Sequence, residues 1–312
     1  MSLLVIEPGL STTVQDAGRP GYLGWGVPPG GAFDRSSADL ANALLANDPA
    51  AAVLELTLVG GSYEAEAPLA LALAGASMEA RVRRVVGADR RLSVPQSFPM
   101  RPGERLVLGP VARGLRTYLA VSGGWRTAVV LGSRSSETRL VAGDRLPCEP
   151  GHTPVRHLAA RAQEPADGPI RVIPGPDFKA FGADVPSLGE PHRVLPESDR
   201  VGLRLDGPAW AVAAEACRVS TPVAPGAIQA AGGRPLILGV ACGTMGGYPH
   251  VLHVISADLD RVAQVRPGDR LRFALVTLEE ARRLDRVARA AHRRACLRIA
   301  TAAGDRPRPA RD

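Results

Sequence analysis

Apolar residues in this chain fall in short runs, each closed off by Gly, Pro or Asp: Leu3–Ile6, Val53–Val59, Leu69–Leu73, Arg105–Leu108, Thr117–Val121, Ile170–Ile173, Leu236–Ala241, Val251–Ile255 and Arg270–Ala274. Runs of this kind between turn-forming residues predict strands, and so many of them predict a barrel or sandwich. Helical spacing occurs twice. After Asp34 or Ser36, either of which can cap a helix, Ala38, Ala41, Leu44 and Leu45 form one apolar stripe, and Asn47 and Pro49 follow as stops. Near the end, Thr277 to Glu280 reads as a capping box. Leu278, Ala281, Leu284, Ala288 and Ala291 then repeat at helical spacing, with Arg282, Arg286, Arg289 and Arg293 on a different face.

A weak internal repeat predicts two related units. LLVIEPG (Leu3–Gly9) matches IRVIPGP (Ile170–Pro176), and a Gly-acid turn feeding a strand recurs at Pro102–Leu106, Ala142–Leu146 and Pro267–Leu271. The Ala/Gly/Pro-rich stretch His157–Gly168 reads as the linker. The expected organisation is a first barrel over residues 1–160, a second over 168–276, a basic helix over 277–300 and a disordered tail over 301–312.

Composition supports two cores. The chain has 312 residues, 45% of them hydrophobic, but aromatics make up only 4%, so the interiors must be built from Val, Leu, Ile and Ala. The formal charge is +7, which would raise nucleic acid as a partner. Its distribution argues against that: Ala281–Asp312 holds ten Arg and three Asp, a net of +7, so the rest of the chain is neutral. Cys148, Cys217, Cys242 and Cys296 contain no C-x-x-C pair and read as free thiols in a reducing cytoplasm. The start, MSLLVIEPG, has no basic region ahead of its apolar run, and no run approaches the ~20 residues that span a bilayer. A cytoplasmic chain without membrane contact is expected.

The glycine-dense stretch TTVQDAGRPGYLGWGVPPGGAFD (Thr12–Asp34) fits neither phosphate-loop template. Gly21, Gly24 and Gly26 run in the wrong order for G-x-G-x-x-G, and no G-K-[ST] ending occurs. It reads either as a loop tied down by its own Gln15, Asp16, Arg19 and Asp34 or as a loop lining the mouth of a barrel. His250 and His253 would point to opposite faces of a strand, so no metal site is expected of them. No nucleophile–base pair is evident. Chemistry, if any, would rest on arginines and backbone N–H groups holding anionic groups. Two further stretches are richer than ordinary turns: Glu197–Leu205, with an acid and two guanidiniums around a glycine, and Ser220–Gln229 followed by Cys242–Pro249.

These stretches together resemble the KipA-type family, whose members are also described as the C subunit of 5-oxoprolinase, the second subunit of allophanate hydrolase and a biotin-dependent carboxyltransferase domain. The likeness runs from the Thr12–Asp34 stretch through NALLANDPAAAVLELTLVGG, TYLAVSGG, LGSRSS, VIPGP, SDRVGLRL, PVAPGAIQ, GGYP and PGDRLRF, in order along nearly the whole chain. It implies a mainly β fold of two cyclophilin-like β-barrel units with a few short helices and a C-terminal helix. It also implies two partner proteins, one KipI-like and one LamB/YcsF-like, which supply the other two components of the oxoprolinase. The implied activity is ATP-dependent hydrolysis of the cyclic amide 5-oxoproline to glutamate, with ATP shared with the KipI-like partner and no metal in this chain. Two other roles are implied by the same likeness: a non-catalytic regulator that binds the KipI-like protein, and a carboxyltransferase component of a urea carboxylase-like system.

The family's motif positions fall here on Gln15, Asp16, Arg19, Asp34, Ser198, Asp199, Arg200, Gln229, Thr244, Gly246, Gly247 and Tyr248. On this likeness Arg200 and Arg19 would pair with a carboxylate or phosphoryl group, Asp199 would orient a guanidinium, and Gln229 and Thr244 would bond the amide edge. Asp199, Arg200, Gln229 and Thr244 are the expected catalytic set, and the others the expected substrate-binding set. The chain departs from the family's D-x-Q-T-T-G-G-Y pattern, carrying Ala241, Gly243 and Met245 at three of its polar positions. That removes polar atoms where the resemblance would have a substrate gripped.

Overall fold

The computed structural model describes residues 1–149, 151, 156, 168–181, 188–212 and 218–302. Of the expected linker only Gly168 is described. Cys217 and the tail from 303 onward also lie outside the described residues.

The first sheet holds β1 (Ser2–Glu7), β2 (Ser11–Gln15), β3 (Val53–Thr57), β4 (Val59–Ala65), β5 (Leu69–Arg83), β6 (Arg90–Leu92), β7 (Gln96–Met100), β8 (Arg105–Val121) and β9 (Arg145–Pro147). Its order is β2-β3-β8-β4-β1-β9, and β5 pairs with β6, β7 and β8. The expected run Val53–Val59 is broken because Leu58 takes a φ of 64°, which turns the chain between β3 and β4. Conversely, the expected strands Arg105–Leu108 and Thr117–Val121 are the two ends of β8, which pairs with β4 through one half and β3 through the other.

The segment Leu69–Ala74 shows why β5 is buried on both faces. Leu69, Leu71 and Leu73 alternate into the barrel core, while Ala70, Ala72 and Ala74 face helix α1 (Arg35–Ala43). Alternation sends the large side chains inward, and the small ones let the helix lie close against the sheet. Asp34 caps α1, accepting from the Ser37 N–H at 2.9 Å. The chain leaves the helix at Ala46, which adopts a left-handed φ of 56°, and Asn47 pins the exit to the Val121 carbonyl.

The second sheet contains β10 (Ile170–Pro174), β11 (His192–Val194), β12 (Gly202–Asp206), β14 (Ala227–Ala231), β15 (Arg234–Leu238), β17 (His250–Val254), β18 (Arg270–Leu271) and β19 (Phe273–Leu275). The short ribbon of β13 (Thr221–Pro222) and β16 (Met245–Gly246) stands apart. The sheet order is β18-β11-β12-β15-β14-β17-β10-β19. Its two edges are adjacent pieces of one segment, so the sheet closes on itself as a barrel, as the expected run Arg270–Ala274 splits between them. Its core is Ile170, Val172, Leu203, Trp210, Ile228, Ile237, Val251 and Phe273 with their neighbours. Phe33, from the opening loop of the first half, is buried in the same core.

Two helices follow. The short α2 (Leu259–Ala263) lies beside the junction of the barrels, and α3 (Leu278–Ala302) ends the described chain. Thr277 caps α3 through the Glu280 N–H at 3.1 Å, but the Glu280 carboxylate turns to Arg283 instead of closing the box. The buried side of α3 also differs from expectation. Ala281 and Ile299 are buried and His292 half-buried, whereas Ala288 and Ala291 are exposed. The helix crosses from the turn at Ser256–Asp258 onto α1, so its contact line drifts off the stripe that a straight reading gives. Arg282, Arg286, Arg289 and Arg293 are exposed, as a solvated basic face requires.

Candidate functional site at the junction of the barrels

Glu55 sits on β3 among aliphatic residues, 1% exposed, and its carboxylate is the centre of the junction. It accepts from Arg116 Nε at 3.2 Å, Arg200 Nη1 at 2.6 Å, the Phe33 N–H at 2.9 Å and the Tyr118 hydroxyl at 2.8 Å. Burial pushes this carboxyl up, but Arg200 and then Arg116 outweigh it, so the group lies below the usual carboxylate range and is charged. Arg116 stacks under the Phe33 ring at 4.7 Å and donates to the Ala263 carbonyl across the junction.

Arg200 comes from the second barrel, and protein groups engage all three of its nitrogens. Nε and Nη2 donate to Glu137 at 2.8 and 3.0 Å, Nη2 also to the Gly31 carbonyl at 2.8 Å, and Nη1 to Glu55. The guanidinium expected to clamp a substrate anion therefore clamps two protein carboxylates, and holds the barrels together. Asp199, expected to orient that guanidinium, instead accepts from the N–H groups of Val201 and Gly202 and closes their turn. Ser198 braces the same turn by accepting from the Arg204 N–H at 3.0 Å.

The opening loop is held by the LGSRSS segment. Asp16 accepts from the Gly18 and Arg134 N–H groups and from the Ser133 and Ser135 hydroxyls. Burial raises this carboxyl, but those four bonds together bring it below its ordinary value. Arg19 donates to the Ser135 carbonyl, and Gln15 Nε2 to the Ser136 carbonyl at 2.9 Å. The loop is thus tied down by its own polar side chains. Its tip, a single turn at Leu23–Trp25, projects outward with Trp25 84% exposed.

Asp34 has a second role beyond capping α1. Its Oδ2 accepts from Gln264 Nε2 at 2.6 Å, and Gln264 Oε1 in turn accepts from the Leu115 and Arg116 N–H groups. Complete burial, and then the neighbouring Asp260, push the Asp34 carboxyl up to about 7. Asp260 is itself raised by burial, although it accepts from Ser36 and from the Arg35 N–H.

The remaining expected residues gather at the rim of the second barrel. Gln229 is buried and donates to the Tyr248 carbonyl at 3.2 Å. A Cβ on Gly246 would lie 2.3 Å from Gln229 Nε2, so this glycine is what lets the loop close over the amide. Gly247 follows it at the exposed rim. Thr244 is half-buried and Tyr248 exposed, and their hydroxyls have no hydrogen-bond partner among the described residues.

His250 and His253 require a correction. They do not point apart: His253 Nδ1 lies 3.2 Å from His250 Nε2. Opposite Ile228 and Gln229 the register of β17 slips by one residue, and that bulge at Val251 returns both rings to one side. Burial, and then His250, press the His253 imidazole down to about 4, so the pair is neutral at pH 7. Among the described residues no group of three or more His, Cys, Asp and Glu is placed to hold a metal ion.

The site residues that sequence reasoning missed are Glu55, Arg116, Tyr118, Glu137, Asp260 and Gln264. Only Glu55 carried a signal: an acid at the middle of the apolar run VLELT.

A family model, the carboxyltransferase domain, subdomains A and B, matches residues 25–275. The C subunit of 5-oxoprolinase from Escherichia coli is 33% identical over 89% of this chain and 93% of its own length, and that of Haemophilus influenzae 29% over 90% and 94%. The urea amidolyase of Saccharomyces cerevisiae is 30% identical over 89% of this chain, which corresponds to 17% of that protein. Among solved structures, TTHA0988 superposes with a TM-score of 0.75 at 34% identity, over 88% of this chain and 56% of its own. The urea amidolyase of Kluyveromyces lactis superposes at 0.78 and 26%, over 94% of this chain and 20% of its own. No described helix is long and apolar enough to cross a membrane. With the model covering most of its length, and with solved relatives superposing over nearly all of it, the chain belongs to the family of carboxyltransferase domains of the subdomain A and B type.

Proposed function

We propose that this chain is the C subunit of an ATP-dependent 5-oxoprolinase, working in the cytoplasm with a KipI-like protein and a LamB/YcsF-like protein as its other two components. The observation that carries this reading is coextension. The alignment fills 93% of the Escherichia coli 5-oxoprolinase component, but only 17% of the yeast urea amidolyase. ATP would supply the driving force for opening the lactam, and this chain would hold the substrate. Since Arg200, Arg19 and Asp16 are engaged by protein groups, substrate contacts fall to the rim of the second barrel. There the Thr244 and Tyr248 hydroxyls can bond the lactam C=O and N–H, with Gly246 and Gly247 admitting close approach and Gln229 fixing the loop from beneath. Co-expression with the two partners, followed by ATP-dependent release of glutamate from 5-oxoproline, tests this reading. Turnover that falls about 100-fold in Thr244→Ala with the complex intact supports it. A complex that assembles but releases no glutamate sinks it.

A second reading has its own support. The matching family model is a carboxyltransferase domain, and the fungal relatives carry the names urea amidolyase and urea carboxylase. Under it, carboxyl transfer from a biotin carried on another chain would replace lactam hydrolysis, since Lys179 is the sole lysine here. Bicarbonate-dependent carboxylation of urea by the assembled complex distinguishes the two. Ala241, Gly243 and Met245 favour a regulatory role only if the assembled complex performs neither reaction.

A further inference from the structure

The opening loop leaves the first barrel at Arg19 and returns at Pro29, whose carbonyl accepts from the Arg19 N–H at 2.7 Å. What projects beyond this neck is short and internally bonded. The Trp25 and Val27 N–H groups donate to the Tyr22 carbonyl at 3.0 and 3.2 Å, and the Gly26 N–H donates to the Leu23 carbonyl at 3.0 Å, with Gly26 at a left-handed φ of 77°. The tip is therefore a preformed knob that holds Leu23 and Trp25 out in water. An exposed indole on a rigid turn is the kind of anchor that dominates protein–protein contacts.

A hole lies at the base of the same loop, between it, α1 and the turn Asp48–Ala51, with a volume of about 310 Å³. Ala17, Ala32, Ala38, Ala50, Ala51 and Val53 supply its apolar wall, and the alanines leave the space open. A cavity of roughly 150 Å³ already takes up a benzene ring, so this one has room for an indole. Three carboxylates, Asp16, Asp39 and Asp48, stand around it against one guanidinium, Arg35, which donates to the Ala17 carbonyl at 2.7 Å. Asp16 is bonded to the LGSRSS segment and Asp39 to His292, whereas Asp48 is exposed and accepts from the Ala50 N–H through one oxygen at 2.7 Å. The loop complements this acidic rim. From Ala17 to Phe33 it carries no acid and one cation, Arg19, and its indole N–H is a donor that needs an acceptor.

Knob and hole sit at the two ends of one loop, so two copies turned about a two-fold axis can each place the tip over the other's hole. We propose that this face pairs with a second copy of the chain, the Trp25 of each entering the alanine-walled hole of the other and donating to its Asp48. Two indoles bury only about 300–500 Å², short of the ~1,200 Å² of a stable interface. Tyr22, Leu23 and Pro49 around them add to that area, and the pair is a reversible dimer, not a permanent one. The inference does not depend on the oxoprolinase reading, because association is read on this chain alone.

Sedimentation velocity of the full chain over a range of concentrations tests it. Tryptophan fluorescence is a second readout, because Trp125 and Trp210 are buried and only Trp25 changes surroundings on pairing. The expected result is a monomer–dimer equilibrium whose emission moves to the blue as dimer forms. Trp25→Ala should raise the dissociation constant at least about tenfold, as should Ala50→Arg, whose long side chain is drawn into the hole by Asp48. An equimolar mixture of the two variants keeps one knob facing one open hole and should recover part of the affinity. Val86→Arg, at the equally exposed tip between β5 and β6, should change nothing. A chain that stays monomeric overturns the proposal and assigns the knob to a different protein. A dimer that Trp25→Ala leaves intact overturns it too, as does a mixture that associates no better than either variant alone.

Discussion

Arg200 takes its partners from three separate places in the first half of the chain: β3, the opening loop and the segment after LGSRSS. Truncating it leaves the buried Glu55 carboxylate with Arg116 as its one remaining cation and severs the tie to Glu137, so Arg200→Ala should cost about 3 kcal/mol of unfolding free energy. Urea denaturation measures this directly, and a loss below about 0.5 kcal/mol, the size of an exposed pair, would show that the guanidinium carries no such load. The sequence marks Arg200 as unusual, but not why. Its neighbour Asp199 is the obvious partner on paper, whereas its actual partners lie 63 and 145 residues away. Glu55 was equally hard to read. A lone acid in VLELT looks like the polar face of a half-exposed strand until a second barrel covers that face. The two histidines show the opposite failure, since a strict two-residue alternation is overturned by one bulged residue.

Elements were legible where both ends of a run carried a stop signal, and illegible where the backbone itself made the break. Asp34 and the stripe behind it delimit α1 well. The division of Val53–Val59 depends on Leu58 in a left-handed conformation that no residue preference announces. The two ends of β8 read as separate strands because its middle, Gly109–Gly114, lacks an apolar run.

Helix α3 was visible as a helix, but its docking was not, because the anchor is polar. His292 donates to Asp39 of α1 at 3.2 Å, and that bond, then one to Cys296, lifts the imidazole from 6.5 to about 10. A raised folded value stabilises fully below the unfolded 6.5 and is lost as pH rises through about 10. Asp39→Asn should therefore lower the melting midpoint at pH 7 and have little effect above pH 10. Thermal melts at the two pH values check this, and an equal loss at both would remove the charge from the argument.

Across the whole molecule, the two barrels share a polar joint through Asp34, Gln264, Glu55 and Arg200, so they should unfold together. Within that joint, Asp34 works against stability at neutral pH. It is raised from 3.8 to about 7 by burial and by Asp260, so the folded chain retains a proton that the unfolded chain releases. Its contribution is complete below about 4 and is lost as pH rises through about 7. Asp260→Asn removes the neighbouring charge and should flatten the fall in unfolding free energy between about pH 4 and 7. Urea titrations across that range measure the slope, and an unchanged slope would assign it elsewhere. The pairing of barrels was legible from the repeated VI-P-G strands and Gly-acid turns. The joint was not, because each of its members looks ordinary until the two halves of the chain are brought together.

Phe33 gives this architecture a historical consequence. The second barrel does not own its entire interior; one of its aromatic residues is on loan from the loop that opens the first. A gene divided between the barrels would yield a second product with a vacancy at its heart, sticky and poorly ordered until it met the first. The two units of this chain can be duplicates by descent, yet they are no longer separable modules. Any longer protein that contains these two barrels, as the aligned 17% of the Saccharomyces cerevisiae urea amidolyase does, would have to carry the pair as a single block.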